Sequence, residues 1–206
     1  MKKEKTYIYI DSFNLYYGFL KSRPKGCKWL NLEGWLSKVF PQNDIQKIKY
    51  FTAKVSGKRD PTKPIRQETY LRALKTLPSV EIIEGSFLTK QAKIQITSDV
   101  CILAKVLEEK GTDVNLAVHL VNDAHFNRFD TAIVVSNDSD LAEAIKIVTR
   151  ELKLKVGVLN PYDKFSKQLN KDTTFKMSVR EGPIVSSQFL SVMTDKFGTF
   201  TKPSSW

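Results

Sequence analysis

Three aspartates define the chemistry open to this sequence. Asp11 follows the apolar run Thr6-Tyr-Ile-Tyr-Ile10. Asp113 opens an amphipathic stretch just after Gly111. Asp138 sits in Ser136-Asn137-Asp138-Ser139-Asp140, three residues past a second apolar run, Thr131–Val135. Converging carboxylates repel one another and are tolerated mainly around a hard cation. Oxygen ligands without a neighbouring Cys or His favour Mg²⁺ or Mn²⁺ over Zn²⁺. Such an ion beside a phosphate points to phosphodiester chemistry, with the metal polarising phosphate and activating water. Each acid also has a plainer reading. Asp113, Asp138, Ser139 and Asp140 are residue types favoured at helix N-caps, and Asp11 with Asn14 suits a turn. Yet Asp138 and Asp140 together, beside Asn137 after one buried strand, are more than a single cap requires.

The elements that must position these acids follow from hydrophobic periodicity. Thr6 to Ile10 has no polar break and reads as a buried parallel strand. Helical spacing runs from Phe13 to Leu20 and from Leu32 to Val39, with Pro41 closing the second. Ile45 to Val55 reads as a strand, and Lys63 to Leu77 as a helix stopped by Pro78. Val80–Ile83 and Ser86–Ile96 read as short strands, the two forming a hairpin around Gly85. Ser98 to Glu109 reads as a helix broken by Gly111, and Asp113 to Phe126 as another. Thr131–Val135 is a strand, Leu141–Val148 a helix and Leu154–Leu159 a strand. This alternation predicts βαβ crossovers and an α/β fold, a mainly parallel sheet covered on both faces. In such sheets ligands bind beyond the carboxyl ends of the strands, where Asp11 and Asp138 fall. Beyond Gly182 the pattern fades, so one domain over 1–180 and an irregular tail over 181–206 packed on it are expected.

The 206 residues carry 33 Lys and Arg against 22 Asp and Glu, a net charge of +11 that attracts polyanions at long range. The basic residues cluster: Lys21, Arg23, Lys25 and Lys28 in one stretch, and Lys54, Lys58, Arg59, Lys63 and Arg66 in another. A solvated lysine-rich surface is the alternative to a nucleic-acid interface. Lys58, Arg59 and Lys63 are the candidates for contacting substrate phosphates. No apolar run approaches the ~20 residues that span a bilayer, and no signal-peptide pattern follows Met1. Cys27 and Cys101 lack metal or redox spacing. A cytoplasmic protein without membrane partners is expected, and a homo-oligomer is left open.

The stretches Tyr9-Ile-Asp11-Ser-Phe-Asn14-Leu15, Glu109-Lys-Gly-Thr-Asp113-Val-Asn115-Leu-Ala117 and Val135-Ser-Asn137-Asp138-Ser-Asp140-Leu141 resemble, in order and spacing, the signature motifs of the NYN family. That family belongs to the PIN-like nucleases and includes the LabA-like bacterial proteins. The resemblance runs from about Lys5 to Phe175. Phe51-Thr-Ala53, Arg66-Gln67, Tyr70-Leu-Arg72-Ala73-Leu74 and Lys202-Pro203 with Trp206 resemble features of one bacterial branch. It implies a three-layer α/β/α domain and a metal-dependent endoribonuclease, with RNA weighted over DNA. By that resemblance Asp11, Asp113 and Asp138 hold Mg²⁺ or Mn²⁺, and Asp140 is a further catalytic acid. Asn14 orients Asp11 or meets phosphate, and Ser136 and Asn137 hold the strand end and substrate. Many LabA-like sequences have an acid where this one has His119. His119 and His125 are expected on the helix surface without a catalytic role. Not every member need cleave, so a nucleic-acid-binding module with the same pocket is the alternative. A haloacid-dehalogenase-type phosphatase would need an Asp where Phe13 stands, and a dinucleotide-binding enzyme would need a glycine-rich turn in place of Asp11-Ser-Phe-Asn14.

Overall fold

A computed structural model describes residues 3–22, 27–58, 60–95 and 101–206, with the backbone alone for 86–95 and 101–110. The first strand, β1 (Glu4–Asp11), runs through the middle of the molecule. A four-residue helix, α1 (Ser12–Leu15), follows directly and widens into a π turn over Tyr16–Leu20. Helix α2 (Leu32–Val39) has the predicted bounds, with the Asn31 side chain accepting from the Gly34 N–H as its cap. Strand β2 (Asn43–Thr52), helix α3 (Thr62–Leu74) and strand β3 (Val80–Glu84) complete the first half.

The second half begins with β4 (Ser86–Gln95) and β5 (Cys101–Lys110), then α4 (Thr112–His125), β6 (Thr131–Val135) and α5 (Ala142–Lys146). A 3₁₀ turn over Ser139–Leu141 precedes α5 and a π turn over Ile147–Glu151 follows it. Strands β7 (Lys155–Asn160) and β8 (Phe175–Ser178) then finish the main sheet.

That sheet has six parallel strands in the order β3-β2-β1-β6-β7-β8. Chain order runs outward from β1 in one direction and from β6 in the other. The topological switch point therefore lies between β1 and β6, where the carboxyl ends of the two strands open a crevice. Alternate residues of β1 feed two separate cores. Ile8 and Ile10 pack with Ile133, Val135, Trp35 and Leu74 on one face. Tyr9 packs with Phe51, Leu116, Leu120, Val134 and Ile145 on the other. Every residue of β6 is buried, as a central strand covered on both faces must be. The result is a three-layer α/β/α sandwich.

Two expectations are corrected. Val80–Glu84 does not form a hairpin around Gly85; it pairs parallel with β2, from Ile48↔Val80 to Thr52↔Glu84. The α3 crossover returns the chain alongside β2, and that parallel partner replaces the local one. The span expected as a helix from Ser98 to Glu109 is strand β5 from Cys101 onward, antiparallel to β4 over the register Ser86↔Lys110 to Gln95↔Cys101. A continuous apolar run such as Cys101-Ile-Leu-Ala fits either period, and a ladder to a neighbouring strand decides. Residues 96–100 lie outside the described residues, as do Arg23, Lys25 and Arg59.

The tail is more regular than its composition suggests. It contains α6 (Glu181–Val185) and a hairpin of β9 (Val192–Asp195) and β10 (Gly198–Thr201). It is fixed by aromatic packing around the fully buried Trp29, whose ring meets Phe189, Phe200 and Trp206 at 5.7, 6.5 and 6.3 Å. The Trp29 indole N–H donates to the Leu190 carbonyl at 2.9 Å. Arg72 on α3 donates to both Asp195 oxygens, at 2.8 and 2.6 Å, a bidentate pair that fixes the hairpin's orientation.

Candidate functional site

Asp11 ends β1 and begins α1, and both jobs fall to its carboxylate. Oδ1 accepts from the backbone N–H groups of Phe13 and Asn14, each at 3.0 Å, which caps the helix. Oδ2 accepts from the Asn14 amide at 2.7 Å and from the Ser136 hydroxyl at 3.1 Å. The latter bond crosses from β1 to the end of β6, where Ile10 lies opposite Val135 in the sheet register. Ser136, fully buried, also accepts from the Asp138 N–H at 3.1 Å. One hydroxyl thus links both acids.

Asp138 takes the second cap. Its Oδ1 accepts from the Asp140 N–H at 3.0 Å and starts the 3₁₀ turn, while Oδ2 has no hydrogen-bond partner among the described residues. Asp11 is 2% exposed. Burial pushes its carboxyl above the ordinary value of 3.8; the hydrogen bonds from Asn14 and Ser136 pull it back, and the nearby negative charge of Asp138 adds to the rise. Capping therefore does not account for all that surrounds Asp11. A cap alone needs no second acid beside it, and the like charge works against the buried one.

The other expected residues fall into two groups. Asn14 and Asn137 are struts. The Asn14 side-chain oxygen Oδ1 accepts from the Asn137 N–H at 3.1 Å. The Asn137 side chain donates to the Lys164 carbonyl at 2.9 Å and accepts from the Ser166 N–H at 2.8 Å, tying the β6 loop to the segment after β7. Asp140 is exposed at the turn. Asp113 lies in the first turn of α4. Because α4 returns the chain to the start of β6, its N-terminus stands over the carboxyl end of the sheet, on the side of Asp11 and Asp138. Among the described residues no three His, Cys, Asp or Glu side chains are close enough to share one ion. The described geometry thus joins Asp11 to Asp138 and leaves Asp113 on the same edge. Lys63 is half-buried at the start of α3 and Lys58 is exposed.

Sequence reasoning missed two groups. Tyr162 follows the end of β7 as Asp11 and Asp138 follow β1 and β6. Burial raises its phenol, and the charges of Asp11 and Asp138 raise it further. Its backbone is held by Asn160, which donates to the Tyr162 carbonyl at 2.8 Å and accepts from its N–H at 2.9 Å. Its ring lies over Gly18, where a Cβ would come within 2.7 Å. The strand-end rule that located the aspartates would have found Tyr162 had it been applied to β7. The second group is a buried ion network. Lys49, inside β2, donates to Asp123 on α4 at 2.5 Å, and Asp123 also accepts from Tyr9 at 2.7 Å and Arg128 at 2.8 Å. His119 is not a plain surface residue: its Nδ1 is 3.1 Å from Lys49 Nζ and its ring packs on Phe51. The sequence signal was Lys49 standing between Ile48 and Tyr50-Phe51.

The model of the NYN domain family matches residues 5–177. The chain belongs to the NYN domain family. Membership in the PIN-like superfamily follows, and the parallel three-layer sheet agrees with it. Among relatives of this NYN protein is one named 6-hydroxy-3-succinoylpyridine 3-monooxygenase from Pseudomonas putida. It is 30% identical over 237 aligned positions that cover 98% of this chain and 75% of that protein. A solved structure of a protein of unknown function from Vibrio parahaemolyticus shares the fold at 19% identity and a TM-score of 0.58, covering 88% of this chain and 98% of that one. No helix among the described residues is long and apolar enough to cross a membrane.

Proposed function

We propose that this NYN protein is a metal-dependent endoribonuclease whose ion is held by Asp11 and Asp138, with Asp113 contributing from the start of α4. The observation that carries the reading is the buried Asp11 carboxyl, raised by burial and by Asp138 and without a cation beside it among the described residues. An all-oxygen donor set of this kind fits a hard divalent ion, Mg²⁺ or Mn²⁺. Such an ion would supply Lewis acidity toward a scissile phosphate and its attacking water. Ser136 and Asn14 orient Asp11, and Asn137 fixes the β6 loop that carries Asp138. Asp140, exposed at the mouth, adds negative charge beside the ion, and the Tyr162 phenol stands ready to donate to a phosphate oxygen. Lys58, Arg59 and Lys63 steer the strand electrostatically, so binding falls steeply with salt.

The relative's name favours a second reading, a site for a small substituted pyridine that is hydroxylated. The two part on product. Purified protein is incubated with single-stranded RNA, tRNA, single-stranded DNA and duplex DNA, each with Mn²⁺ or EDTA. Cleavage of RNA in Mn²⁺, absent in EDTA and in folded Asp11→Asn and Asp138→Asn variants, is the expected result. Unchanged RNA under all conditions, or near wild-type cutting by either variant, would sink the nuclease assignment.

A further inference from the structure

A pocket opens beside Asp11 on the face of the sheet covered by α1 and α3. Ser12, the residue after Asp11, is part of its wall. Its floor is Tyr50 and Tyr70, both buried, with ring centroids 6.3 Å apart. Tyr16 and Tyr17 form one side, packed edge to face at 5.2 Å, and Tyr17 is 46% exposed. Trp206 closes the other side, 5.7 Å from Tyr70. Aromatic faces thus stand on several sides of one cavity.

The rim is cationic. Lys28, Lys63 and Arg66 all line the pocket. Arg66 is paired with Asp60 at 2.6 Å, whereas Lys28 and Lys63 have no ion-pair partner among the described residues. The Lys28 ammonium is 5.9 Å from the Tyr16 ring centre, a cation resting near an aromatic face. Gln67 also lines the pocket, but its amide is engaged: it accepts from the Val55 N–H at 2.9 Å and donates to the Ala53 carbonyl at 2.8 Å. A ring entering here meets faces rather than a free amide edge, which favours stacking over edge-specific hydrogen bonding.

We propose that this pocket is a nucleotide subsite: it takes one base by stacking against Tyr17 and Trp206, and the attached phosphate by Lys28 and Lys63. The proposal rests on the nuclease reading, since the subsite would hold the nucleotide next to the phosphate presented to Asp11 and Asp138. A base-tolerant subsite of this kind sets the register of a strand without choosing a sequence.

The test is equilibrium binding of adenosine 5′-monophosphate in EDTA, followed by tryptophan fluorescence and confirmed by calorimetry. Adenosine, ribose 5-phosphate and pyridine-3-carboxylate serve as comparison ligands. The monophosphate should saturate the protein and bind roughly tenfold or more tightly than either adenosine or ribose 5-phosphate. Lys63→Ala should weaken the monophosphate by about fivefold or more and leave adenosine unchanged, while Tyr17→Ala should weaken both. Circular dichroism confirms that each variant is folded. Monophosphate affinity no better than that of ribose 5-phosphate, or unchanged in both variants, would overturn the proposal. Pyridine-3-carboxylate binding as tightly as the monophosphate would overturn it in favour of a small aromatic acid. Because binding is read without metal, its failure is distinguishable from failure of the nuclease reading. RNA cut by a protein that ignores the monophosphate removes only the subsite; monophosphate bound by a protein that cuts nothing removes only the nuclease.

Discussion

Two buried aspartates beside β1 have opposite fates. Asp123 has no exposed surface, yet Lys49, Tyr9 and Arg128 converge on it. Burial pushes its carboxyl up, but the hydrogen bonds from those three outweigh burial and hold it below the ordinary value of 3.8. Asp11 is almost as buried, and four hydrogen bonds from uncharged donors reach its oxygens. Those bonds do not outweigh burial and the charge of Asp138, so it stays above 3.8. Hydrogen bonding is ample at both sites; the difference is a cation. A paired buried charge is a structural element, and an unpaired one beside a like charge marks a place where a ligand is expected to bring the missing charge.

The largest effect separating the regions should appear in stability. Asp123→Asn leaves Lys49 charged in a buried site without its counter-ion, which should cost roughly 3–5 kcal/mol in denaturant unfolding. Asp11→Asn keeps a capping oxygen and removes an unfavourable charge, so it should fall within about 1 kcal/mol of wild type. Equal losses for the two variants would erase the distinction.

A smaller effect is expected in the pH dependence of stability. The Asp11 value is raised on folding, so its contribution is present below 3.8 and is lost as pH rises through the folded value. The Asp123 value is lowered, so its contribution is present above 3.8 and is lost as pH falls through the folded value. Unfolding free energies of Asp11→Asn should therefore lack the decline that wild type shows on the neutral side of 3.8, while retaining the acid loss. A wild-type profile matched by Asp11→Asn at every pH would show that Asp11 does not titrate as the geometry requires.

The meeting of Asp11 and Asp138 was legible in the sequence because it follows from strand ends. A buried apolar run followed by Asp is readable in one dimension, and β6 and α2 were delimited correctly for the same reason. The Lys49–Asp123 pair was not legible, since its partners are 74 residues apart and Asp123 looks like any polar residue on an amphipathic helix. The β4–β5 pair was missed because an apolar run such as Cys101–Leu103 carries no period of its own. In the tail, the hairpin is held by Phe200 against Trp29 and the short helix by the buried Ile184, contacts that chain order does not reveal.

The smallest effect belongs to an exposed control. Lys146 and Glu143 form an ion pair at 3.0 Å on the solvent side of α5, with side chains 45% and 69% exposed. Lys146→Ala should change unfolding free energy by about 0.5 kcal/mol or less, and less still in high salt. A loss approaching that of Asp123→Asn would mean that burial is not what separates these ion pairs.

The metal assignment is tested most directly by melting temperature against Mn²⁺ concentration, in wild type and in Asp138→Asn. An ion that binds only the native state stabilises it by RT ln(1 + [L]/Kd), about 1.4 kcal/mol at ten times Kd, or a few degrees for a domain of this size. Wild type should rise by that amount, and Asp138→Asn should rise far less. A wild-type protein indifferent to Mn²⁺ and Mg²⁺ up to millimolar levels, or a variant that responds as strongly as wild type, would contradict the site at Asp11 and Asp138.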